Sequence, residues 1–238
     1  MQQMIGKMAR MYPMLIALGF MIVAVALVVG AANAQTAEFY FGHSKLVRET
    51  SLMLQRAALE STGLWLPYFK FLGIGLLLGG IVMALRVIID GLKAVGTEVL
   101  SSLPDGELPA PPWFAALMPA LMMLGLVILI VALVISLGLA GSARQVFAHP
   151  LPEIDAAGAG SALLAQLQMI QASSAWLVPL KFLGVATEFL AIVTGLATIL
   201  FVLGAQTELL GQVLRIGRGK NVSPAAAADQ RLVGKARA

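Results

Sequence analysis

Four long apolar runs alternate with short polar stretches along the whole chain. The runs cover about 12–34, 66–90, 115–141 and 177–205. Each reaches the roughly 20 residues that an α-helix needs to cross a hydrocarbon core of about 30 Å. The first polar stretch carries Glu38, Lys45, Arg48, Glu49, Arg56 and Glu60. The second is SSLPDGELPAPPW, whose prolines cannot continue a helix. The third holds Arg144, Pro150, Pro152, Glu153, Asp155 and several glycines. Amphipathic helices are expected at about 46–64 and 160–175, with Leu52, Leu59 and Leu163, Ile170 on their apolar faces. The pattern predicts an all-α integral membrane protein with four transmembrane helices.

Composition agrees with that pattern. The 238 residues are 59% hydrophobic and 12% charged, with a mean hydropathy of +0.90. Soluble domains are nearer half apolar and a quarter charged, so an ordinary soluble enzyme, a disordered chain and a coiled coil are excluded. The absence of Cys removes disulfides, thiolate metal sites and thiol catalysis. A formal charge of +4 could suggest nucleic acid. The basic residues flank the apolar runs instead, where they set orientation, and no nucleic-acid module accompanies them.

Ten Lys and Arg lie on the side of the termini and the central linker, among them Lys7, Arg10, Arg86 and Lys93. Six lie on the other side: Lys45, Arg48, Arg56, Lys70, Arg144 and Lys181. Both termini are therefore expected in the cytoplasm, with the two longer loops outside, as in a multi-pass protein of a bacterial inner (plasma) membrane. Ala32-Asn33-Ala34 has the form of a signal-peptide cleavage site. The preceding apolar run is long for a signal peptide and has a counterpart within the chain, so it is read as a span.

That counterpart belongs to an internal duplication. At an offset of 106, Pro13 aligns with Pro119, Leu18-Gly19 with Leu124-Gly125, and His43 with His149. At an offset of 111, Trp65-Leu66 meets Trp176-Leu177, and Lys70-Phe71-Leu72-Gly73 meets Lys181-Phe182-Leu183-Gly184. Shared Pro, His, Trp, Lys and Gly are not cheap coincidences between apolar segments. Two tandem parallel repeats of a two-span unit are expected, covering 1–100 and 114–214. A pseudo-two-fold axis along the membrane normal would relate them. Residues 101–113 form the linker and 215–238 a basic cytoplasmic tail.

Several residues are candidates for specific roles. Small residues at four-residue spacing, which let helix backbones approach, are Ala26, Gly30 and Ala34 in the first span and Ala132, Ser136 and Ala140 in the third. Gly75 and Gly79 serve the second span, and Ala191 and Gly195 the fourth. Trp65 with Lys70, and Trp176 with Lys181, read as interfacial anchors. Arg86 and Asp90 are spaced to pair across one helical turn.

Glu188 is the outlier. It falls about 11 residues, or roughly 16 Å, into the fourth span, near the bilayer centre. An ionisable residue at that depth is a functional candidate, and no basic residue of the chain is placed to neutralise it. It is expected to be protonated or paired with another subunit. Its counterpart in the duplication is Leu77, and Thr187, Thr194 and Thr198 add hydroxyls to the same span. His43 and His149 could supply two ligands to haem iron or copper, although two histidines are sparse for a metal site. No catalytic signature is present, and no cofactor is expected. The chain reads first as a non-catalytic accessory or scaffold subunit of a larger membrane complex, surrounded by lipid and oligomeric with other membrane subunits. A homo-oligomeric channel or proton/ion conduit using Glu188 comes second, and a redox subunit using the histidines third.

Overall fold

The computed structural model describes residues 11–100 and 112–220. Among these residues there are only helices and connections. They are α1 (Tyr12–Phe41), α2 (Lys45–Thr50), α3 (Met53–Leu100), a 3-10 turn (Trp113–Ala116), α4 (Leu117–Val146), α5 (Leu151–Asp155) and α6 (Ala162–Lys220). A helix keeps its backbone hydrogen bonds within the segment, the one local solution for a chain surrounded by apolar matter. The ends follow local chemistry. Pro13 sits in the first turn of α1, where its missing N–H is not required. Gly160, at φ +85°, takes the left-handed turn that precedes α6. The Leu164 amide then donates to Ser161 Oγ at 3.3 Å, capping that helix.

Four of the helices, α1, α3, α4 and α6, are long and apolar enough to cross a membrane. Together with the 3-10 turn that leads into α4, they contain the four apolar runs and extend past them. The helices expected at 46–64 and 160–175 differ from expectation. The first is split into α2 and the opening turns of α3, and the second is the opening of α6. Pro67 and Pro179 lie inside α3 and α6 without ending them. Each proline removes one N–H, a local loss that a long apolar helix held by neighbours tolerates. At 48 residues and 1.5 Å per residue, α3 is about 70 Å long, so both it and α6 project beyond a bilayer. Of the 101–113 linker, only its last two residues are described; the tail beyond 220 lies outside the described residues.

Helix packing is built on two hairpins, α1 against α3 and α4 against α6, with α3 also packed on α4 and α6. In each hairpin a pair of glycines marks the closest approach. A β-carbon on Gly19 would lie 2.7 Å from the Gly73 carbonyl oxygen and 2.8 Å from the Leu77 nitrogen. One on Gly125 would lie 2.9 Å from the Gly184 carbonyl oxygen and 3.3 Å from the Glu188 nitrogen. Two apolar clusters fill the α3–α4–α6 interior. One joins Val82, Ile89, Met118, Met122 and Ala191; the other joins Tyr68, Ala132, Leu139, Ala143, Ile170 and Leu177. Near one end, the Gln206 amide donates to the Leu92 carbonyl, tying α6 to α3.

The contacts between hairpins do not follow a two-fold pattern. α4 packs on both α3 and α6, whereas α1 packs on α3 with no comparable contact to α6. A two-fold axis would pair α1 with α6 just as it pairs α4 with α3. The reason lies in the side chains: Met118 and Met122 of α4 fit against Gly79 and Gly195, but α1 has no such seat on α6.

The glycine crossings predict a sharp positional contrast. Gly125→Val should lower stability by about 1–3 kcal/mol, the usual penalty for overpacking. Gly138→Val, where no atom lies within 4 Å of an added β-carbon, should be nearly silent. Thermal unfolding of the two variants in detergent checks this, and equal midpoints would refute the crossing.

Candidate functional site: a carboxyl at a three-helix junction

Glu188 projects from α6 into the point where α3, α4 and α6 meet. It is fully buried, at 0% exposure. The side chain fits there because two glycines leave room. A β-carbon on Gly125 of α4 would lie 2.5 Å from Glu188 Cγ, and one on Gly75 of α3 would lie 3.2 Å from Oε1 and 3.5 Å from Oε2. Leu129 closes the same pocket from α4, facing both Gly75 and Gly184. Neither carboxyl oxygen has a hydrogen-bond partner among the described residues. The carboxyl is thus enclosed by helices of its own chain, away from the outer faces of the bundle.

The threonines of the same helix do not complete a polar row around it. Thr187 Oγ1 donates to the Leu183 carbonyl at 2.7 Å, Thr194 to Ala191 at 2.8 Å and Thr198 to Thr194 at 2.7 Å. Each hydroxyl is satisfied by its own backbone, the usual outlet inside an apolar helix. Only Thr198 is fully buried with Glu188.

The remaining candidates are distributed around the bundle. Ala132, Ser136 and Ala140 are buried within the chain, as are Gly75 and Gly79. Ala26 is buried, Gly30 faces Leu66 at ordinary van der Waals distance, and Ala34 is exposed. Arg86 and Asp90 pair at 3.2 Å, as their spacing implied. Lys70 is exposed, Trp65 stacks edge-on against Phe69 at 5.7 Å, and Trp176 is exposed. Lys181 is held differently. Its ammonium lies over the rings of Tyr68, Phe71 and Phe182 at 5.1, 5.0 and 5.4 Å, a cation–π cradle spanning α3 and α6. Sequence reasoning missed that cradle, although the aligned Phe71 and Phe182, 5.3 Å apart, were its one available signal.

The two histidines are engaged locally. His43 Nδ1 lies 2.8 Å from the Phe39 carbonyl, and His149 Nδ1 lies 3.1 Å from Glu153 Oε1. Among the described residues no group of three or more His, Asp or Glu side chains is placed to hold one metal ion.

These elements define an all-α protein of the multi-pass membrane class, with a single carboxyl enclosed in its interior among the described residues. Comparison with protein-family models, curated proteins and solved structures finds no match for the chain.

The junction predicts an unusual mutational result. A buried carboxyl without partners costs about 1–3 kcal/mol of desolvation, and the first hairpin places Leu77 beside Gly19 at the aligned position. Glu188→Leu should therefore raise the unfolding midpoint in detergent, while Glu188→Lys should lower it steeply. A lowered midpoint for the leucine variant would show that the carboxyl has a partner of its own.

Proposed function

We propose that this chain is a non-catalytic subunit embedded in a larger membrane assembly, where its outer helix faces receive helices of other membrane subunits. The observation that carries this reading is an unmatched face on α6. On α3, Val82, Leu85 and Ile89 are buried at 1%, 9% and 2% exposure, beneath α4 and α6. The residues aligned with them at the offset of 111, Val193, Leu196 and Leu200 of α6, are exposed at 58%, 48% and 70%. One register of side chains is covered by a neighbouring helix in the first unit and left open in the second. Lipid alone satisfies such a face, yet the covering of the same face on α3 by a helix supports the reading that α6 receives one.

The wider reading keeps two tandem copies of a two-span unit, 1–100 and 114–214, both termini in the cytoplasm and a bacterial plasma membrane as the setting. The matching glycine pairs, Gly19 with Gly73 and Gly125 with Gly184, support the duplication. The basic residues clustered toward the termini support the orientation.

A second reading is favoured by one observation. Glu188 burdens the fold without gaining a hydrogen bond, and residues that break a folding rule are commonly kept for function. A proton or cation path through a homo-oligomer would use such a group. Its enclosure by α3 and α4 then requires those helices to part before an ion reaches it.

Native mass spectrometry of the protein extracted in mild detergent from its own membrane separates the readings. The assembly reading expects a hetero-complex, which Val193→Trp combined with Leu200→Trp disperses while helical content stays unchanged. A homo-oligomer whose ion flux in vesicles is abolished by Glu188→Gln would favour the conduit. A lone monomer indifferent to the double substitution would overturn the assembly reading.

A further inference from the structure

A cleft of about 430 Å³, lined by charged residues, opens at the end of the bundle that carries α2 and α5. Its volume lies within the roughly 300–1,000 Å³ range of small-molecule sites. Three cations line it: Lys45 and Arg48 of α2 and Arg56 of α3. Lys45 is engaged with Glu49 at 3.6 Å. The two arginines make no ion pair among the described residues.

Aromatic rings hold both guanidinium groups instead. Arg48 lies over Tyr40 and Phe41, at 5.6 and 5.5 Å from the ring centres. Arg56 lies over Phe147 at 4.9 Å. A ring fixes a guanidinium by its flat face and leaves its N–H edge available, and that edge matches the oxygens of a phosphate. Arg48 Nε is buried without an acceptor, so its Nη groups form the edge open to a ligand. Two arginines without an ion pair, lining one cleft together with Glu49 and Glu60, form an arrangement suited to an oxyanion.

We propose that this cleft binds a phosphate ester, with Arg48 and Arg56 as its ligands. Leu59 and Leu151 line the same cleft and give it an apolar wall beside the cations. The cleft also lies at the end of α1 and the opening turns of α3, two helices of bilayer length, so a phospholipid headgroup and a soluble phosphate ester share the chemistry it recognises. Glu49 and Glu60 also line it and limit the negative charge it accepts, favouring a single phosphate over a polyphosphate.

The test is a titration of the purified, delipidated full-length chain in detergent, read by native mass spectrometry. The probes are dioleoyl phosphatidylglycerol, dioleoylglycerol and glycerol 3-phosphate. Phospholipid binding without dioleoylglycerol binding supports the site and assigns a headgroup, whereas equally tight glycerol 3-phosphate binding supports the site and assigns a soluble ester. Arg48→Ala and Arg56→Ala should each weaken binding about tenfold or more, as expected for loss of a charge-assisted pair. Arg48→Lys should recover only part of that loss, and Lys93→Ala, toward the other end of α3, should leave binding unchanged. Equal binding of phospholipid and dioleoylglycerol by the unaltered chain, or no binding of either phosphate, would overturn the proposal even if an arginine variant failed to fold.

Discussion

Two helices surrounded by lipid gain little by hiding apolar side chains from it, because hydrocarbon is as good a neighbour as leucine. Association then rests on how closely the backbones can approach and how many atoms they bring into van der Waals range. In this protein the approach is set by glycines at the hairpin crossings. Gly19 meets Gly73 and Gly125 meets Gly184 at distances that exclude even one methyl group. The rest of the bundle follows from those crossings. They fix the register of each hairpin, and so determine which side chains of α3 and α6 point toward the shared interior.

Glu188 depends on the same geometry. Its side chain is longer than the space a leucine-lined crossing offers, and it fits because Gly75 and Gly125 present no side chains to it. The position therefore combines a tight helix contact with an unmet polar demand. In the first hairpin the aligned position is Leu77 against Gly19, where the contact is tight and no polar demand arises. The two hairpins thus share a packing device and differ in the chemistry placed upon it.

A related asymmetry separates the outer surfaces. α4 is gripped by two helices and buries a continuous stripe from Met118 to Val146, while α1 rests on α3 and buries only Gly19 and Ala26. The end bearing α2 and α5 adds polar structure to this frame. There, arginines of α2 and α3 are positioned by aromatic faces contributed by two other segments, α1 and the turn after α4.

Much of this was legible in the residues. Apolar runs of bilayer length imply helices because no other local structure satisfies the backbone in lipid, and the four runs all lie within helices. The Arg86–Asp90 pair was also legible, since residues four apart on a helix must be neighbours. The isolation of Glu188 from basic residues followed from simple depth along the helix. Other features depended on contacts far apart in sequence. Whether Pro67 and Pro179 ended a helix or lay within one was not settled by the residues alone; both lie inside long helices. Tertiary structure alone enclosed Glu188 between glycines of two other helices, gathered Tyr68 and Phe71 around Lys181, and turned Arg48 and Arg56 into one cleft. It alone also left α6 open where α3 is covered. Periodicity and length report what a segment does with its own backbone; which face meets which is a property of packing, and packing is not local.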